Sequence, residues 1–316
     1  MTGMLQNTLH QRGWIIFGVT VVILLAVDLV MHRGGEGTSK KSSYIWSGIW
    51  IAAGLLFGVA VFVMLGAERA EEYLAAYLME KSLSLDNLFV FLIIFRSLSI
   101  PQQHQHKVLF WGILGALLFR AIFIFAGIAA INRFAWLSIL FGMLLLYTAY
   151  RAAREDPATK SENSVVKWLS RFLPVTEDTE GGHWLLRRDG KRYITPLALA
   201  LLAVELTDIM FAIDSVPAVF AVSRDPLVVY SSNIFAILGL RALYTALEHN
   251  LRNFPYLHYG LAGVLAFAGV KLIFEEWLAI SPLLSVGLII AIISASIIAT
   301  PRGRRPVKNG AKPPGI

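Results

Sequence analysis

"EKSLSLDNLFVFLIIF", residues 80 to 95, sets the reading of the whole chain. Its second half is a run of Leu, Phe, Val and Ile suited to a lipid interior, while its first half carries Glu80, Lys81, Asp86 and Asn87. An Asp or Lys at the centre of a membrane helix disfavours insertion by roughly 2.5–3.5 kcal/mol. Such residues therefore face a cavity or one another, and their default reading is functional.

The surroundings of the stretch decide whether it is a span. The 316 residues are 56% hydrophobic and 16% charged, with a mean hydropathy of +0.63, against roughly 45–50% apolar and about 25% charged in soluble domains. Apolar segments of the roughly 17–25 residues a bilayer crossing needs lie at about 14–31, 46–66, 73–96, 107–131, 133–151, 194–222, 230–248, 254–275 and 281–300. The pattern predicts an all-α membrane protein of about nine transmembrane helices. The first is preceded only by Arg12 and followed by His32 and Arg33, with no small-residue cleavage site, so it reads as a retained anchor. With no cysteine, disulfides, thiolate metal sites and thiol catalysis are excluded.

Lys and Arg set the orientation, because they are retained on the cytoplasmic side. With the N-terminus outside, 20 of the 28 fall in inner segments and only Arg12, Arg69, Arg133 and Arg224 in outer ones. Lys81, Arg120, Arg241 and Lys271 lie within helices. The excess of +7 sits mostly in loops and in the basic tail, so topology accounts for it without nucleic acid. The chain divides into two N-terminal helices (1–72), a three-helix repeat (73–151), a cytoplasmic linker (152–193), a second three-helix repeat (194–275), and a ninth helix with the tail (276–316). The linker is mixed in charge and turn-rich, with a short amphipathic stretch around 165–172; the tail "PRGRRPVKNGAKPPGI" has the composition of a disordered segment.

The opening motif has a partner. "DIMFAIDSVPAVF", residues 208 to 220, superposes on it by pairing Glu80 with Asp208, Asp86 with Asp214, and Asn87 with Ser215. The next helices match as "LLFRAIF" (117–123) against "LGLRALY" (238–244), setting Arg120 opposite Arg241. The third match as "LLLYTAYRA" (144–152) against "VLAFAGVKL" (264–272). By the loop count the two units run in opposite directions. Inverted repeats with a substrate site near the midplane characterise many secondary transporters. The structural alternative is that Glu80 or Asp208 forms an interhelical salt bridge with Arg120 or Arg241.

Six residues along a straight helix advance about 9 Å and turn about 240°. Glu80 and Asp86 cannot then share one ion unless the helix unwinds. Pro217 removes a hydrogen bond and crowds the carbonyl of Ile213, so the sequence predicts a broken helix beside Asp214 that supplies a carbonyl ligand. Carboxylates, an amide, hydroxyls and carbonyls suit hard divalent cations, whereas softer metals prefer Cys and His. All seven histidines fall at predicted helix ends or in loops. Met79 and Met210, each beside an acid, could add a soft ligand that favours Mn2+, though core packing is the simpler role. No glycine-rich phosphate loop and no nucleophile–base pair is present, which points away from an ATPase and from an enzyme.

"EKSLSLDNLFVF", "HKVLFWGILGALLFRAIFIFAG", "VELTDIMFAIDSVPAVFAVSRDP" and "SSNIFAILGLRALY" resemble the TerC family of integral membrane proteins, over about residues 46 to 300. That resemblance implies a nine-helix protein of the bacterial inner membrane with a role in metal-ion homeostasis, chiefly manganese efflux. Carried over, Asp86, Asn87, Asp214 and Ser215 form the ion-binding core, and Glu80 and Asp208 are accessory acids. Arg120 and Arg241 balance buried charge. The expected partners are Mn2+ as the transported ion, protons as the coupling ion, and the lipid bilayer; no resident cofactor is expected. Competing expectations are efflux of a tellurite-like oxyanion, which would want a cationic site, and a non-transporting membrane factor that assists protein assembly or metalation.

Overall fold

The computed structural model describes residues 2–31, 40–154, 164–176, 182–188, 191–247, 257–275, 277 and 280–299; the side chain of Asp86 is outside what it describes, as is the basic tail. The helices are α1 (Thr2–Met31), α2 (Lys40–Leu65), α3 (Ala67–Ser97), α4 (Gln102–Arg133), α5 (Trp136–Arg154), α6 (Ser164–Phe172), α7 (Pro196–Phe220), α8 (Pro226–Leu238), α9 (Leu240–Leu247), α10 (Leu257–Ile273) and α11 (Pro282–Ile298). One antiparallel hairpin, β1 (Leu185–Arg188) with β2 (Lys191–Ile194), lies between α6 and α7. The segment read as a linker with a short amphipathic stretch around 165–172 thus holds a helix over that stretch and a hairpin beyond it.

Three helices start on the same local signal. Thr195-Pro196, Asp225-Pro226 and Ser281-Pro282 each place a side-chain oxygen at the N-cap and a proline in the first turn, where its missing N–H leaves no gap. The capping oxygens accept from the N–H of Ala198, of Leu227 and Val228, and of Leu284. Between α2 and α3 the chain turns at Gly66, whose φ of +90° lies in the left-handed region that glycine adopts without strain.

By length and composition, α1, α2, α4, α5, α7 and the α8–α9 pair can each cross a membrane, while α10 and α11 are shorter apolar helices. These make six candidate spans among the described residues, beside the two shorter apolar helices. α3 is long enough at 31 residues but carries Glu80, Lys81 and Asp86 along its length. Large apolar side chains such as Leu118, Ile122 and Phe125 on α4 and Leu56, Val59 and Val63 on α2 are exposed, as a lipid-facing surface requires. The chain is a multi-pass, all-α membrane protein.

Inside, α4 packs along α7, α8 along α3, and α5 along α10, with α3 and α7 also in contact. One core joins Phe57, Tyr73 and Phe235, the first and last stacked at 4.7 Å; another joins Leu145, Val264, Ala268 and Ile289. α5 and α10 cross with Gly142 against Gly269, where a Cβ on either would come within 2.9 Å of the other's carbonyl oxygen. Glycine at such a crossing lets backbones approach without a side chain between them.

α7 runs unbroken through Pro217 to Phe220, which corrects the expected break beside Asp214. Proline removes only one ladder bond, and here it stands in the last turn, so helical dihedrals persist around it. The helix that does break is the next one, at Gly239 between α8 and α9. There the ammonium of Lys81 donates to the carbonyl of Ala236 at 3.0 Å, an insertion into the hydrogen-bond ladder of the kind that kinks helices.

Candidate functional site

At the contact of α3, α4, α7 and α8, Arg120 is wholly buried and gathers oxygen atoms from three other helices. Its Nη2 donates to Asp208 Oδ1 at 3.1 Å and its Nε to Asp208 Oδ2 at 3.4 Å, a two-pronged contact. Its Nη1 is shared among Glu80 Oε1, Asn233 Oδ1 at 2.6 Å and Ser215 Oγ at 3.2 Å. Asn233 closes the ring by donating its Nδ2 to Glu80 Oε2 at 3.2 Å. The guanidinium's planar fork makes this many directed bonds possible, where a lysine would offer a single point charge.

Helix geometry explains which residues of α7 take part. Asp208 and Ser215 are seven apart, close to two turns, and so share the face that meets α4. Asp214 is turned to another face, where Thr148 of α5 donates to its Oδ1 at 3.0 Å. Asn87 is buried in α3, and Arg241 is buried in α9, on a different helix from every oxygen gathered by Arg120. Asp86 lies in α3, and the position of its carboxylate is outside the described residues. Glu80, Arg120, Asp208 and Ser215 are thus brought into one cluster, while Asp214 stands apart from it. Met79 is buried in the apolar core, and Met210 is exposed. Among the described residues, no group of three or more His, Asp or Glu side chains converges as a ready-made metal cage.

Two polar residues of this region escaped the reading of the sequence. Asn233 belongs to a polar triplet, Ser231-Ser232-Asn233, all wholly buried inside an apolar span; that triplet was the available signal. Glu205, three residues before Asp208, leans its carboxylate over Gly115 of α4, where a Cβ would fall 1.9 Å from Oε1. Its Oε2 is buried with no hydrogen-bond partner among the described residues. A second polar group sits at the start of α3. There Glu72 accepts two bonds from Arg69, at 2.9 and 2.7 Å, and one from Ser223. Asp225 meets His10 of α1 at 2.9 Å.

Fold and site together define a polytopic membrane protein whose apolar bundle encloses a satisfied ionic cluster. The chain belongs to the TerC family of integral membrane proteins, whose family model matches residues 65–306. It is 42% identical over 290 residues to an uncharacterized membrane protein of Myxococcus xanthus, covering 91% of each chain. It is 40% identical over 297 residues to the provisionally named membrane-bound redox modulator Alx of Salmonella typhi, covering 90% of this chain and 92% of that one. An uncharacterized membrane protein of Rickettsia bellii is 40% identical over 291 residues, 91% of this chain and 96% of its own. No solved structure matches the chain.

Proposed function

We propose that the protein is a secondary transporter that exports a hard divalent cation, Mn2+ above all, across the bacterial inner membrane in exchange for protons. The observation that carries this reading is the set of oxygen donors on α3, α7 and α8 turned toward one buried point between apolar spans, where a cationic group already resides. Carboxylate, amide and hydroxyl oxygens are the donors hard cations prefer. Asp214, bound to Thr148 and not to Arg120, is the carboxylate of α7 that reaches the ion first, with Asp86 as its counterpart on α3. Glu80 and Asp208 hold Arg120 and set the charge of the site.

The packing supports an inverted repeat with nine crossings. Exchanging α3 with α7, α4 with α8–α9 and α5 with α10 turns the α4–α7 contact into the α8–α3 contact and returns the α5–α10 contact to itself. Rocking one unit against the other would expose the same residues to either side in turn. The redox name carried by Alx has no thiol chemistry to draw on here, because the chain has no cysteine.

The test is Mn2+ flux in proteoliposomes holding only this protein. Uptake into inside-out vesicles that is driven by an imposed pH gradient is the expected result. Absence of any Mn2+ flux from correctly folded protein would leave the ionic cluster a structural device and move the protein to the non-transporting class; selective tellurite flux would replace Mn2+ with an oxyanion.

A further inference from the structure

The segment between α5 and α7 holds a surface that the transport reading does not use. α6 packs on α7 through Val165, Val166 and Leu169, which join the main core. At about 100° per residue, Lys167 and Arg171 then point away from that face. Trp168 and Phe172 line one flank, 53% and 69% exposed, with their rings edge-on at 5.3 Å. The hairpin repeats the pattern. Leu185 is exposed, and Arg187 stands directly across from Arg192, both exposed on the same face of the ribbon. Like charges directly opposite destabilise a strand pair, so this pairing calls for an anion between them.

The surface is held at a defined height. Pro174 accepts from the N–H of Ile194 at 2.9 Å, and Thr176 donates to the carbonyl of Ile194 at 3.0 Å, which ties the end of α6 to β2. Lys107, in the second turn of α4, donates to the carbonyl of Gly182 at 2.8 Å and covers the Trp184 ring at 4.7 Å. Helix, hairpin and the beginnings of the α4 and α7 spans therefore lie at one end of the bundle, where bilayer headgroups begin. Tryptophan favours that level because its ring is apolar and its N–H polar.

We propose that the outer face of α6 and the β1–β2 hairpin docks on anionic lipid headgroups, with the aromatic pair of α6 seated at the acyl boundary and the basic side chains on lipid phosphates. The inference rests only on the chain's being a membrane protein, and it stands or falls independently of Mn2+ transport. Charge complementarity selects the partner: Lys167, Arg171, Arg187 and Arg192 are exposed with no acid beside them among the described residues of α6, β1 and β2, next to exposed aromatic rings.

Because the chain has no cysteine, single nitroxide labels need no background removal. Phe172→Cys and, separately, Leu185→Cys are labelled in the full chain and placed in nanodiscs of phosphatidylglycerol with phosphatidylethanolamine, or of phosphatidylcholine alone. The expected result is a label shielded from a water-soluble nickel chelate in the anionic discs and accessible in the neutral ones. Replacing Arg171, Arg187 or Arg192 by Gln should weaken docking about fivefold per residue. Labels equally accessible in both discs would overturn the proposal. So would labels equally shielded in both, which would make the docking apolar, and so would dipolar broadening between labels, which would make the face a contact between two copies.

Discussion

Arg120 uses Nε and both Nη atoms of its fork on Glu80, Asp208, Ser215 and Asn233, and nothing in the cluster is exposed. A buried ionic group of this kind is costly to break and cheap to replace whole. Arg120→Gln should destabilise the protein by about 3–5 kcal/mol, read as earlier thermal unfolding in detergent, because two carboxylates lose their cation. The triple change Glu80→Gln, Arg120→Met, Asp208→Asn should recover most of that loss. If it recovers stability and Mn2+ flux together, the cluster has no part in transport. Asp214 makes a different case, since it lies outside the Arg120 cluster and accepts a hydrogen bond from the Thr148 hydroxyl. Asp214→Asn should leave thermal stability within about 1 kcal/mol, the scale of interhelical polar contacts in membranes, and abolish flux. Normal flux through this variant at matched expression would remove Asp214 from the ion path.

Among the helices, the α5–α10 pair offers the cleanest test of how the bundle is held. Gly142 and Gly269 face each other's backbone carbonyls, which cannot retreat as a side-chain tip could. Gly269→Ala should therefore cost about 1–3 kcal/mol, the usual penalty of overpacking, whereas Gly18→Ala and Gly48→Ala, with open space around the new methyl, should leave unfolding unchanged. Equal effects at all three sites would mean that the crossing does not depend on its glycines. The α8–α9 break shows what local sequence conceals. Pro217 announces a break and α7 stays whole, while the unremarkable "LGL" at 238–240 breaks where Lys81 reaches from α3 to the Ala236 carbonyl.

For the molecule as a whole, the proposed exchange requires the ion to leave a site that holds carboxylates in a low-dielectric interior. Protonation from outside relieves the repulsion and desolvation that follow its departure, so protons can replace the metal and ride inward. Efflux should then depend on the pH gradient and slow as the outside turns alkaline. With two protons per Mn2+ the exchange is electroneutral and insensitive to membrane potential. Efflux that continues unchanged after the gradient is collapsed at constant potential would rule out proton antiport and leave a uniporter or another coupling ion.

The sequence by itself determined the membrane class and which polar residues fall inside apolar segments. Those are properties of hydropathy, which local residues settle. The fixed helical repeat also puts Asp208 and Ser215 on one face of α7 and Asp214 on another, a separation that the expected grouping of Asp214 with Ser215 did not use. What only the tertiary structure decided is which neighbour each face meets: that one arginine joins Glu80 to Asp208, that Asn233 completes the ring, and that Glu205 rests over a glycine. The physical reason is that a helix fixes the direction of its own side chains, while the partner standing in that direction depends on how all the helices cross and pack at once.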